Sequence, residues 1–274
     1  MTWIRHDISR IRPVDHRVGA AIRGGRKDHN AFTLVEILVV VGIIGILIAI
    51  LVPVLNKARE SAQRTLCLNN LRQIGQAYIA YATEHNDAIP VGYFSGQKQT
   101  NYLINYNMGG LQFYSIMGIL YRSGQLVDGQ AFYCPSEQLP KWQYNTSENP
   151  WPPDETPSGI MRNTRAGYGC RPTDNWQETG AWPDQLARLT LLPNRAILSD
   201  LAPTPYFVTR RHKDGINVSY SDGSARWVRR AEFDSAIANV PDLIDTFNPA
   251  WNDTQLDDSS AVPRGLWAIL DRAP

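Results

Sequence analysis

Between Phe32 and Leu55 the chain reads FTLVEILVVVGIIGILIAILVPVL, an apolar run with one charged residue, Glu36. As a helix it would extend roughly 36 Å at about 1.5 Å per residue, enough to cross a hydrocarbon core about 30 Å thick. No later window approaches that apolar length, so one spanning helix is expected, with a polar-surfaced body on one side of the membrane. Past Asn56 the pattern becomes amphipathic. Ala58, Ala62 and Leu66, then Leu71, Ile74, Tyr78 and Tyr81 recur three or four residues apart, while Lys57, Arg59, Glu60, Arg64 and Arg72 take other faces. Pro53 should kink the helix by removing a backbone donor. The turn formers His85-Asn86-Asp87 before Pro90 should end it, roughly 80 Å from Phe32 if straight.

From Pro90 the chain is rich in aromatic residues and prolines. The pattern predicts a helix over Leu111 to Leu126 and strands at Ala131 to Cys134, Gly167 to Cys170, Ala196 to Asp200 and Tyr206 to Arg211. Pro135, Pro140, Pro150, Pro152, Pro153 and Pro157 mark a long loop from Pro135 to Gly159. In RHKDGINVSYSDGSARWV, Ile216, Val218 and Tyr220 alternate with Asn217, Ser219 and Ser221, and Asp222-Gly223 turns into Ala225 and Trp227, a hairpin signal. Asp242 to Pro274 either closes the sheet or hangs loosely. The fold class is therefore α+β: a long N-terminal helix, half membrane-spanning and half amphipathic, packed on a C-terminal antiparallel β-sheet body with long loops.

Charge orients the helix. Arg5, Arg10, Arg12, Arg17, Arg23, Arg26 and Lys27 against Asp7, Asp15 and Asp28 give the N-terminal side the larger basic excess, so it should stay cytoplasmic and the body should be periplasmic or otherwise extracytoplasmic. The net charge of +1 argues against a nucleic-acid partner. Cys67, Cys134 and Cys170 allow at most one intramolecular disulfide. Cys134 and Cys170 both lie in the body and Cys67 in a helical stretch, which favours a Cys134–Cys170 bridge; three buried or free thiols is the alternative. No nucleophile motif, phosphate loop, dinucleotide fingerprint or His-Glu-x-x-His helix occurs, so no enzymatic activity is expected.

The run is too long for a secretory signal peptide, and no cleavage-site pattern closely follows it. A plain signal anchor would explain its length, yet it has no use for Glu36, a carboxylate costing about 2.5–3.5 kcal/mol near a bilayer centre; near the cytoplasmic end it can snorkel to lower that cost, so the anchor reading stays open. The string Ala31-Phe32-Thr33-Leu34-Val35-Glu36-Ile37-Leu38 resembles the N-terminal signature of type IV prepilins and type II secretion pseudopilins. That resemblance implies cleavage by a prepilin peptidase between Ala31 and Phe32, N-methylation of Phe32, and Glu36 as the assembly residue facing a neighbouring subunit's new N-terminal amine. The family almost always has glycine before the cut; this chain has Ala31, another small residue. It often also has a proline where Pro53 stands.

A second resemblance lies in the body. His212, nine intervening residues and Asp222-Gly223 are similar to the His-x9-Asp-Gly signature of a large bacterial prepilin-type group, DUF1559-like, with which CLNNLRQIGQAYIAYATEH, FYCPS and LLPNRAILSD also agree. Together these imply the organisation 1–31 leader removed on processing, 32–55 transmembrane helix, 56–86 amphipathic extension and 87–274 extracytoplasmic domain. The function implied is a structural pilin-like subunit of a type II secretion or type IV pilus-like apparatus, whose partners are the peptidase, other pilin-like subunits and membrane lipid. The alternative is a membrane-tethered module that binds glycans through Trp142, Trp151, Trp176 and Trp182; core packing is the ordinary role for those tryptophans. His212 and Asp222 read as hairpin residues rather than metal ligands, because no second histidine or close carboxylate cluster stands beside them, Asp200 being the one further candidate. No cofactor is read from the residues. Calcium follows only by analogy with some pseudopilins, and no EF-hand-like oxygen ladder accompanies it.

Overall fold

The computed structural model describes residues 33–92, 101–108, 111–153, 163–172, 186–201, 204–238 and 265–272. The leader, Ala31, Phe32, Trp176, Trp182 and Trp251 lie outside these residues. The chain divides into two units, Met1–Leu51 and Val52–Pro274. The first contains the start of helix α1, which runs Leu34–Glu84 and continues through Pro53. Proline has no N–H to give the carbonyl four residues back, that of Ala49, so the helix lacks one bond beside the boundary between the units.

In the second unit the polar half of α1 docks on a six-stranded antiparallel sheet. The strands are β2 (Asn101–Met108), β3 (Leu111–Tyr114), β4 (Thr164–Cys170), β6 (Ala196–Asp200), β7 (Gly215–Tyr220) and β8 (Ala225–Arg229), in the order β3-β2-β4-β6-β7-β8. A small pair, β1 (Ala88–Ile89) with β5 (Ala187–Arg188), follows the end of α1. The buried stripe of α1 is Cys67, Leu71, Ile74, Tyr78 and Tyr81; Ala58, Ala62 and Leu66, expected on the same stripe, are exposed. Docking therefore starts at Cys67. Gly75 allows the close approach there, since a Cβ at this position would lie 2.6 Å from Ser219 Oγ of β7.

Strand β7 shows why both halves of an alternating strand can be buried. Ile216, Val218 and Tyr220 join one core with Val228 of β8 and with helices α4 (Arg230–Ile237) and α5 (Leu266–Leu270). Asn217 and Ser219, both 0% exposed, belong to the opposite face, where Asn217 Nδ2 donates to the Arg64 carbonyl of α1 at 3.4 Å. The polar face meets a helix instead of water. The described part of the C-terminal segment closes the sheet: Leu266, Trp267 and Leu270 are fully buried, and Asp271 receives Arg171 Nη1 at 2.8 Å, Arg195 Nη1 at 2.5 Å and the Ala196 N–H at 2.8 Å.

Four expectations are corrected. Leu111 to Leu126 is not one helix: Leu111–Tyr114 forms β3, which pairs with β2 in the register Met108↔Leu111, and helix α2 covers only Met117–Arg122. Two glycines, Gly109-Gly110, separate the paired residues, a hairpin composition that outweighs the helical spacing. Ala131 to Cys134 is not a strand; Asp128 accepts the Gln130 N–H at 2.9 Å and starts a 3-10 turn, Gly129–Phe132. Tyr206 to Arg211 is helix α3 (Pro205–Arg211), because Pro205 occupies the first turn, where its missing N–H costs nothing, and Phe207, Val208 and Arg211 share the buried face. The disulfide joins Cys67 to Cys134, whose Cα atoms are 5.2 Å apart, and leaves the buried Cys170 outside the bridge. Cys67 belongs to the docking stripe, so the helix carries its thiol into the body.

Helix α3 is held by Glu137. Its carboxylate, 0% exposed, accepts from Arg211 Nε at 2.7 Å, pairs with Arg210, and accepts the Leu139 N–H at 2.8 Å; Arg211 also donates to the Gly167 carbonyl at 2.7 Å. Burial pushes the Glu137 carboxyl up, but Arg211, the Leu139 N–H and Arg210 outweigh it and hold it below the ordinary carboxylate range. Asp271 is lowered likewise, with Arg171, Arg195 and the Ala196 N–H overcoming burial. A carboxyl lowered by folding contributes stability that is present above its unfolded pKa and is lost as pH falls through its folded value. The melting temperature of the detergent-solubilised chain should therefore be flat above about pH 5 and fall below it. Glu137→Ala leaves Arg211 buried and without its carboxylate and should cost about 3–5 kcal/mol in chemical unfolding; a variant as stable as the parent would contradict the assignment.

Candidate functional site

The first site is the start of α1. Thr33 and Glu36 form a reciprocal cap: Thr33 N–H and Oγ1 donate to Glu36 Oε2 at 2.9 and 2.7 Å, while the Glu36 N–H donates to Thr33 Oγ1 at 3.3 Å. This is the Thr-x-x-Glu capping box, in which two backbone donors of a helix start are satisfied by side chains. The lone carboxylate of the apolar run thus has a local partner within its own chain. Sequence reading assigned Glu36 only a partner in another subunit, although the Thr-x-x-Glu spacing was visible. From Leu34 to Leu55 every residue is exposed, including Leu34, Ile37, Ile46, Ile50 and Leu51. Nothing among the described residues covers this surface.

The second site lies beneath α1, where four elements converge. Cys67 comes from α1, Cys134 follows the 3-10 turn, Asp200 ends β6, and His212 follows the last residue of α3. Their sulfur, nitrogen and carboxylate oxygen atoms all lie within 4.8 Å of one another. His212 Nε2 is 3.5 Å from Cys134 Sγ and 3.5 Å from Asp200 Oδ2, and its Nδ1 is 3.5 Å from Ser136 Oγ. Asp200 Oδ2 accepts the Asn217 N–H at 2.6 Å and Asn217 Nδ2 at 3.0 Å. Because Asn217 also reaches the Arg64 carbonyl, one amide ties helix α1, β6 and β7 together at this point. The Trp227 ring meets His212 edge-on at 5.8 Å, and the Arg64 guanidinium lies 4.6 Å over the same ring. Burial lowers the imidazole below its ordinary value, although Asp200 acts in the opposite sense, so His212 is neutral near pH 7.

The His-x9-Asp-Gly residues separate into two roles. His212 enters the buried cluster, whereas Asp222 sits in the β7–β8 turn and accepts the Ser224 N–H at 2.9 Å; the Ser224 hydroxyl and N–H together lower its carboxyl. Gly223 has φ +81° and a Cβ there would lie 2.9 Å from Ile79 Cδ1 of α1, so the turn needs glycine for its backbone and for its fit against the helix. The spacing therefore does not bring His212 and Asp222 together; it joins a buried histidine to a turn that docks on α1. Cys67 was placed in the helix and left out of the expected bridge, although its position four residues before Leu71 on the apolar stripe was the signal that it docks on the body. Cys170 is packed against α1, where Tyr78 Oη donates to its sulfur at 3.8 Å, and burial pushes its thiol up.

Of the tryptophans proposed as a stacking surface, Trp142 is 3% exposed and packs with Leu201 and Phe207. Trp151 is half-buried among Tyr121, Phe132, Tyr133 and Tyr144. Both serve packing.

The geometry is an α+β one, an apolar helix leading into an amphipathic one docked on an antiparallel sheet. Residues 26–52 match the family described as prokaryotic N-terminal methylation motif, and residues 56–113 match the family described as protein of unknown function (DUF1559). Both matched segments support a prepilin-like protein, and the methylation motif implies processing by a peptidase and assembly with other pilin subunits. No curated protein and no solved structure matches it. His212 and Asp222 lie outside both matched segments.

Peptide mapping of the air-oxidised protein without reduction should recover a Cys67–Cys134 linked pair and an unmodified Cys170. A Cys134–Cys170 pair would contradict the structure. Cys67→Ser should lower stability by about 2–5 kcal/mol.

Proposed function

We propose that the chain is a structural subunit of a type II secretion or type IV pilus-like apparatus, without enzymatic activity of its own. The observation that carries this reading is the fully exposed apolar surface from Leu34 to Leu55. A surface of that size needs a partner, and lipid together with the apolar helices of neighbouring subunits supplies one. Cleavage between Ala31 and Phe32 removes the basic leader and creates an amine next to Thr33. The N-terminal side is cytoplasmic and the body extracytoplasmic, as the basic excess before the helix supports.

Glu36 has two successive partners on this reading. In the single subunit, Thr33 satisfies it; on assembly, the processed amine of a neighbour offers a full positive charge, which outweighs a neutral cap in a medium of low dielectric. Glu36→Leu should still insert and be processed, but a tagged copy should no longer co-purify or cross-link with untagged subunits. Undiminished incorporation of that variant would contradict the assembly role.

A further inference from the structure

We propose that Cys67, Cys134, Asp200 and His212 form a zinc site when the Cys67–Cys134 disulfide is reduced, so that the same buried pocket holds either a disulfide or a divalent metal.

The donor set carries the argument. Two thiolates, one imidazole and one carboxylate make a four-ligand N/O/S set of the kind zinc takes in tetrahedral geometry. With zinc–sulfur bonds of about 2.3 Å and zinc–nitrogen or zinc–oxygen bonds of about 2.0–2.1 Å, neighbouring ligand atoms in a tetrahedron stand roughly 3.3–3.8 Å apart. The distances from His212 Nε2 to Cys134 Sγ and to Asp200 Oδ2 are both 3.5 Å, already in that range. The four ligand atoms span no more than 4.8 Å. The bonded pair of sulfurs is the edge that has to open.

A second observation points the same way. Asp200 is 1% exposed, yet its Oδ1 has no hydrogen-bond partner, and its Oδ2 lies 3.5 Å from His212 Nε2. A buried carboxylate oxygen without a partner is costly unless a positive charge completes its surroundings. The outer contacts are those of a metal centre too. Asn217 holds Asp200 Oδ2 through two hydrogen bonds, and Ser136 Oγ stands by His212 Nδ1, which fixes the ring so that Nε2 faces the pocket. Cys67 and Cys134 are 0% and 4% exposed and His212 2%, so a bound ion would be shielded from water.

The chemistry balances as two steps. A dithiol reductant transfers two electrons and two protons to the disulfide, giving the Cys67 and Cys134 thiols and the reductant's own disulfide. Zinc then binds as both thiols lose their protons. Reoxidation by thiol–disulfide exchange expels the metal.

The test uses the full-length chain in detergent, reduced with dithiothreitol under anaerobic conditions, freed of reductant and titrated with Co2+ alone. One equivalent should bind, with the absorption of tetrahedral cobalt and a thiolate-to-cobalt charge-transfer band, and zinc should displace it. The oxidised protein should show neither band. Cys67→Ser should lose the charge-transfer band of the pair, Asn217→Ala should weaken binding by about 10- to 100-fold, and Cys170→Ser should bind as the parent does. Reduced, folded protein that takes up no stoichiometric cobalt overturns the site, as does binding unchanged in both Cys67→Ser and Asp200→Asn. A reduced chain that loses its circular-dichroism signal and does not regain it with zinc overturns it as well. None of these outcomes depends on whether the subunit assembles.

Discussion

One helix serves two solvents. From Leu34 to Leu55 its surface is apolar on every side and covered by nothing among the described residues; from Cys67 to Ala82 it is apolar on one stripe and that stripe is buried. Hydrophobic burial cannot be satisfied within the chain for the first part, whereas it organises the whole body around the second. The sheet, the disulfide and the buried polar cluster all attach to the docked stripe. Leu71, Ile74 and Tyr78 pack into the main core, Cys67 supplies a sulfur, and Gly75 lets β7 come close enough for Asn217 to reach back to the helix backbone.

Much of this was legible in the sequence, for identifiable reasons. The apolar run and the later three-to-four spacing fixed the two characters of the helix, because both depend only on local periodicity. The Asp222-Gly223 hairpin was legible since a two-residue turn carries its own backbone chemistry. What escaped were elements decided by a partner distant in sequence. Helix α3 looked like a strand because its apolar positions are few and its anchor, Glu137, lies 74 residues before Arg211. The disulfide was misassigned for the same reason: treating the helix and the body as separate compartments hid the fact that helix docking brings Cys67 to Cys134. The alternation along β7 carries no sign that its polar face meets α1, since that contact joins Asn217 to Arg64, 153 residues earlier.

The capping box at Thr33 and Glu36 changes how the solitary charge is understood. A carboxylate in an apolar run is costly where nothing hydrogen-bonds it, and the Thr33 cap supplies those bonds within the chain. The buried cluster at His212 follows a parallel logic in the body. Polar groups that the sheet cannot hydrate are gathered from four elements, so their pairing reports on whether those elements have come together.

The account rests on the first apolar segment becoming the N-terminus of a processed subunit. Intact-mass and N-terminal peptide analysis of the protein isolated from its native membrane measures this directly. The account predicts a chain that begins at an N-methylated Phe32 and retains the segment to Leu55. A chain that retains residues 1–31, or one cut beyond Leu55, would contradict it.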